Sequence, residues 1–123
     1  MIPLFKTKIY PESIENVTKV LKSGWLGLGK ETEEFENKIS TYLDTPFCIA
    51  TNSGTSALQL AIELANLPRG SIVISTPLTF VSTNHIILQA GLSIAFADID
   101  LLTGNISTKS IERILQDSYF KNN

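Results

Sequence analysis

The sequence predicts an α/β fold with three mostly parallel strands alternating with helices. Three observations point there. Short segments at 47–51 ("FCIAT"), 71–75 ("SIVIS") and 93–97 ("SIAFA") run apolar without alternation, as strands covered on both faces do. Longer segments of helical period separate them, and small polar residues, Gly or Pro stand at nearly every junction. The order strand–helix–strand–helix–strand is that of crossover connections.

Taken in order, 11–22 is a helix opened by Pro11, with Ile14, Val17, Val20 and Leu21 on one face and Ser23-Gly24 as its stop. A glycine-rich run, "GWLGLG", follows at 24–29. Residues 31–43 form a second amphipathic helix with Phe35, Ile39, Tyr42 and Leu43 inward. After Asp44-Thr45-Pro46 come the first strand and a helix over 55–66, whose polar positions reduce to Gln59, Glu63 and Asn66. A helix so apolar is expected to be buried on most sides. The second strand ends at Thr76-Pro77, and 80–90 is helical until Gly91. Asp98 and Asp100 close the third strand, 103–105 turns, and Ser107 or Thr108 caps a last helix bearing Ile111, Ile114 and Leu115. The change of pattern near Pro46 suggests a helical arm over 1–45 and an α/β region over 46–123.

Composition narrows the function classes. The formal net charge is −2, and the lysines of the first third are interleaved with acids, which argues for a solvated surface and against nucleic acid. Cys48 is the single cysteine, so no internal disulfide forms. The opening "MIPLFKTKIY" lacks the apolar core of a signal peptide, and the longest apolar stretch, 86–99, is interrupted and short of the roughly 20 residues a bilayer needs. A cytoplasmic protein with no membrane partner is the expectation.

The chemistry concentrates in "ATNSGTSALQLAIELANL", 50–67. The first amides of a helix have no partner within it and carry partial positive charge. Two readings account for the polar mouth. Ser53 or Thr55 caps the helix while Gly54 eases the turn, or backbone amides and the hydroxyls of Thr55 and Ser56 hold an anion, most naturally a phosphate. No Walker loop and no G-x-G-x-x-G fingerprint is present. The second clue is "STPLTFVSTNH", 75–85, after the second strand. Loops at the carboxyl ends of parallel strands share one edge, where ligands bind. Phe80 stands there among Thr76, Thr79, Ser82 and Thr83, either as a core residue or as a flat surface for a ring. A phosphate pocket beside an aromatic plate suits a phosphorylated aromatic cofactor. His85 is read as a satisfied helix histidine, and Asp98 and Asp100 as turn residues with Asn105, since no ligand set accompanies them.

Four segments, "SGWLGLGKETEEFENKIS", "ATNSGTSALQLAIELANL", "IVISTPLTFVST" and "AGLSIAFADIDLLTGNIS", resemble in order and spacing the N-terminal part of pyridoxal-phosphate sugar aminotransferases of the DegT/StrS type. The resemblance runs over nearly the whole chain. It implies the first portion of an aspartate aminotransferase-like, fold type I large domain. It also implies pyridoxal 5′-phosphate as cofactor, a nucleotide-linked keto sugar as substrate in amino-sugar and polysaccharide biosynthesis, glutamate as amino donor, and a homodimer. It places Gly54, Thr55 and Ser56 at the cofactor phosphate and Phe80 on the pyridine ring. Trp25 and Leu26 fall near the sugar-nucleotide site, although packing explains Trp25 equally well. In the family, the lysine that forms the Schiff base and the carboxylate at the ring nitrogen come later in the chain. The resemblance gives no lysine present here that role, so the expectation is a truncated enzyme, inactive alone. In the family sheet these strands lie at the two flanks, so their apolar faces are expected to lack cover. At roughly 25 cal/mol per Å² that deficit rivals a folding stability of about 5–15 kcal/mol. The rival readings are a small non-catalytic α/β module that binds a phosphorylated ligand or another subunit, and one half of a split enzyme.

Overall fold

The computed structural model describes residues 2 and 5–117. They form α1 (Pro11–Ser23), α2 (Lys30–Leu43), α3 (Gly54–Leu64), β1 (Ile72–Ser75), α4 (Val81–Gln89), β2 (Ser93–Phe96) and α5 (Thr108–Gln116). The chain divides into two compact units, Met1–Ala50 and Thr51–Asn123.

In the first unit, Pro11 occupies the first turn of α1, and Gly24 ends the helix in the left-handed region at φ 74°, its N–H donating to Leu21 O. Asp44 ends α2 in the same region, at φ 50°. The apolar faces of both helices form as the period predicts, but they are not covered. Ile14, Val17 and Leu21 are exposed, and so are Phe35, Tyr42 and Leu43 of the expected inner face of α2. No residue of either helix is buried.

The first expected strand, 47–51, is not a strand. A strand exists only through a ladder, and no described segment pairs with this one. The Ala50 N–H turns instead to the Glu36 side chain, 2.7 Å away, while Phe47 and Ile49 point into solvent. The observed sheet therefore has two strands rather than three.

In the second unit, β1 and β2 pair in parallel, Ile72 against Ser93 through Ser75 against Phe96. Helix α4 makes the crossover and packs on β2 and α3. Ile86, Ile87 and Leu92 form the core, with Ile62, Val73 and Ile94 half-buried against it. Ser53 caps α3 and Ser107 caps α5, each accepting from the amide three residues on. Asn66 stops the chain after α3 with φ 46°. The expected burial of α3 on most sides does not hold. It has no buried residue, and Leu64 is 75% exposed. Only the stripe through Ile62 meets a neighbour, because α4 is the one element packed on it to any extent among the described residues.

Helix polarity positions the site. Ile62 and Glu63 near the end of α3 share a small groove with Ile86, Gln89 and Ala90 near the end of α4. Further on, Asn66 and Leu67 share a second groove with Ala90 and Leu92, so contacts advance in the same direction along both helices, which run side by side. Helix α4 begins just after the carboxyl end of β1, so the N-termini of α3 and α4 open on that same sheet edge.

Candidate functional site

Gly54, Thr55 and Ser56 form the first turn of α3. The Ser53 hydroxyl accepts from the Ser56 amide at 3.1 Å and lies 2.9 Å from the Ser56 hydroxyl. Ser56 Oγ in turn donates to Asn52 Oδ1 at 2.8 Å. The Ala57 amide is taken by Ser53 O. The Gly54 and Thr55 amides have no acceptor among the described residues. No acidic side chain in the first turn offsets the positive end of the helix. A Cβ at position 54 would meet nothing within 4 Å, and Gly54 and Thr55 are both exposed. The cap and the anion readings are therefore compatible: Ser53 takes one amide and leaves two.

Phe80 is the N-cap residue of α4 and is 76% exposed, so core packing is not its role among the described residues. Its loop is fastened around it. Ser75, buried at the end of β1, donates to Asn84 Oδ1 at 2.6 Å, and Asn84 Nδ2 donates to Thr76 O at 3.1 Å. The Leu78 amide reaches Thr76 Oγ1, and the Thr83 amide donates to Phe80 O at 3.0 Å. Asn84 and Asn52 were not singled out from the sequence. Asn84 did carry a signal: it lies three residues before Ile87 on the inner stripe of α4, where a polar side chain requires a partner.

Trp25 and Leu26 belong to the first unit. With Val20, Ser23, Gly27 and Gly29 they line an open recess of about 530 Å³. Trp25 Nε1 donates to Leu28 O at 2.9 Å, folding the glycine run back on itself. A Cβ at position 29 would lie 2.8 Å from that nitrogen, so Gly29 is the residue that admits the ring.

Asp98 and Asp100 are turn residues. Asp98 Oδ1 accepts the Ile99 amide, and Asp100 Oδ1 accepts the Leu102 and Thr103 amides and the Thr103 hydroxyl. The Thr103 amide first, and then that of Leu102, hold the Asp100 carboxyl below its ordinary value of 3.8. Asn105 joins through its backbone, which accepts from the Asp100 amide at 2.8 Å. His85 stands exposed on α4. No three His, Cys, Asp or Glu converge among the described residues. None of the described helices is long and apolar enough to cross a membrane.

This chain is similar to several known proteins. It is 38% identical over 111 residues to the spore coat polysaccharide biosynthesis protein SpsC of Bacillus subtilis (strain 168), covering 90% of the chain and 28% of that protein. It is 37% identical over 119 residues to the UDP-4-amino-4,6-dideoxy-N-acetyl-beta-L-altrosamine transaminase of Campylobacter jejuni (serotype O:2), covering 96% of the chain and 31% of the transaminase. The chain thus spans less than a third of the length of these relatives. Among solved structures, the PLP-form of Spr1654 from Streptococcus pneumoniae superposes with a TM-score of 0.81 at 29% identity, over 91% of this chain and 29% of that one. The α/β fold seen here is thus the opening part of the fold type I enzymes. Residues 7–118 match the model of one family along almost the entire described chain, and the protein is a member of the DegT/DnrJ/EryC1/StrS aminotransferase family.

Proposed function

We propose that these residues supply the phosphate-binding and ring-stacking part of a pyridoxal-phosphate-dependent aminotransferase acting on a nucleotide-linked keto sugar. The observation that carries this reading is the pair of free amides at Gly54 and Thr55, opening on the sheet edge that also bears the exposed Phe80. The donor set fits the cofactor. Two backbone amides and the Thr55 hydroxyl at a helix N-terminus suit a phosphate dianion, and Ser56 adds a hydroxyl already oriented by Asn52. Phe80, apolar and unpacked, suits one face of a pyridine ring. When bound, pyridoxal phosphate supplies the electron-accepting ring that amino transfer requires. The chain's part is to hold the phosphate, orient the ring and shield one of its faces.

In this reading residues 46–123 begin the cofactor-binding large domain and 1–45 form a helical arm. Trp25 and Leu26 contribute to the sugar-nucleotide site. The Campylobacter relative is named for a UDP-linked amino sugar, which supports a nucleotide sugar as substrate; the amino donor in this reading is glutamate. The full enzyme is a cytoplasmic homodimer, and the lysine that bonds to the cofactor is none of those in this sequence. A test titrates the chain with pyridoxal phosphate, then adds borohydride and maps any modified lysine by mass spectrometry. The expected result is saturable binding displaced by inorganic phosphate, with no stoichiometric labelling. Binding that Gly54→Asp leaves unchanged would refute the phosphate site, and full labelling of one lysine would refute the assignment of that role elsewhere. One observation favours the rival module reading: the second unit has a core of its own. A cooperative melt of the chain as a monomer, without cofactor, would support it.

A further inference from the structure

The polar clamp between β1 and α4 has no part in the phosphate cradle. Ser75 is the one buried polar residue among those described, and its hydroxyl is committed to Asn84 Oδ1 at 2.6 Å. The amide of the same side chain donates to Thr76 O at 3.1 Å. One side chain therefore bridges the last residue of the strand and the first residue of the loop to the first turn of the following helix. Between Thr76 and Asn84 the chain makes the whole excursion that carries Phe80. The Phe80 ring, by contrast, is 76% exposed and belongs to no core cluster of the described residues, so the backbone beneath it largely sets where it stands. The remaining bonds of the excursion are local: Leu78 N–H to Thr76 Oγ1, Thr79 Oγ1 to Thr83 Oγ1 at 3.4 Å, and Thr83 N–H to Phe80 O. Among the described residues, only the Asn84 side chain hydrogen-bonds it to the end of the strand.

We infer that Asn84, seated by Ser75, is a positioning residue that fixes the 76–80 loop and so sets the plane and height of the Phe80 ring above the sheet edge. Asn suits the task because it offers an acceptor to the serine hydroxyl and a donor to the carbonyl at once. Leucine offers neither. Aspartate keeps the acceptor and sets a negative charge against Thr76 O. The inference rests on the reading of Phe80 as the ring-stacking residue, and the test separates the two.

The full chain and its variants are titrated with pyridoxal phosphate and, separately, with inorganic phosphate. Amide exchange at Leu78 and Thr83 is followed in the absence of ligand. Asn84→Leu and Asn84→Asp are expected to weaken pyridoxal phosphate binding about tenfold, leave inorganic phosphate binding within about twofold, and speed exchange at Leu78 and Thr83 about tenfold. On a Phe80→Ala background Asn84→Leu should cost less than about twofold, because a displaced ring that is already absent cannot be lost again. Ser75→Ala should reproduce the Asn84 effect, and Ser75→Thr, which keeps the hydroxyl, should restore it. Equal weakening with and without Phe80, or unchanged exchange at Leu78 and Thr83, overturns the inference. Should Phe80→Ala itself bind pyridoxal phosphate as the parent does, the stacking reading fails and the ring-positioning claim with it. Exchange at Leu78 and Thr83 would then report only whether Asn84 holds the loop.

Discussion

Replacing Ser53 with alanine tests the cap and the cradle together, because the structure predicts effects of opposite sign. In the free protein the Ser53 hydroxyl accepts from the Ser56 amide and contacts its hydroxyl. Removing an N-cap hydroxyl costs about 1 kcal/mol. For a unit of this size that lowers the melting temperature by about 4–8 °C. A bound phosphate group, however, takes over: lying on the Gly54 and Thr55 amides, it reaches the Ser56 amide that the variant releases. The loss is then confined to the free state. By the thermodynamic cycle the variant binds phosphate more tightly, by up to about fivefold for 1 kcal/mol. The assay is thermal unfolding of parent and Ser53→Ala with and without saturating inorganic phosphate. The rise in melting temperature on adding phosphate should be larger in the variant. A smaller rise would refute the reasoning, since it would mean that the hydroxyl itself grips the anion or that no anion lies there.

Other outcomes follow from the same structure. Ile86 is 2% exposed at the centre of a small core, so Ile86→Ala should destabilise the second unit by about 2–5 kcal/mol in urea unfolding, and a loss under about 1 kcal/mol would contradict the core described. Gly29→Ala places a methyl 2.8 Å from Trp25 Nε1 and should expel the ring from its bond to Leu28 O. Trp25 is the only tryptophan and is 67% exposed, so the change reads in its single indole N–H resonance, which should exchange faster with water once the bond is lost; unchanged exchange would count against the folded-back loop. Asp100 has its folded pKa held below 3.8 by the Thr103 and Leu102 amides. A depressed carboxylate stabilises fully above its unfolded value and stops doing so as pH falls through the folded value. The Leu102 and Thr103 amide resonances should therefore titrate with a midpoint below 3.8, and a midpoint at or above it would refute the turn geometry.

Much of the second unit was legible in the sequence, for local reasons. Ser53 and Ser107 announce helix starts through their own hydroxyls, as Gly24 in the first unit announces a stop because its left-handed backbone disfavours other residues. The apolar runs that became β1 and β2 find each other through one crossover, α4, and so need nothing beyond this chain. Residues 47–51 have the same composition and yet form no strand, because composition cannot say whether a partner strand is at hand. Burial failed for the same reason. The apolar character of Leu58, Leu60 and Leu64 shows that α3 suits a covered position, whereas exposure records what lies against it, and those are separate facts. At the site, Gly54, Thr55, Ser56 and Phe80 stood out by residue type and by position after a strand or before a helix. Asn84 and Asn52 did not, because their worth lies in the atoms they meet, Ser75 and Thr76 for one and Ser56 for the other.

The central claim is that two backbone amides at the head of α3 await a phosphate group. A crystal structure of the chain with pyridoxal phosphate tests it most directly. Phosphate oxygens are expected about 3 Å from the Gly54 and Thr55 nitrogens, with the pyridine ring lying flat on Phe80. Cofactor bound away from that corner, or those two amides closed off by the protein's own groups, would contradict it.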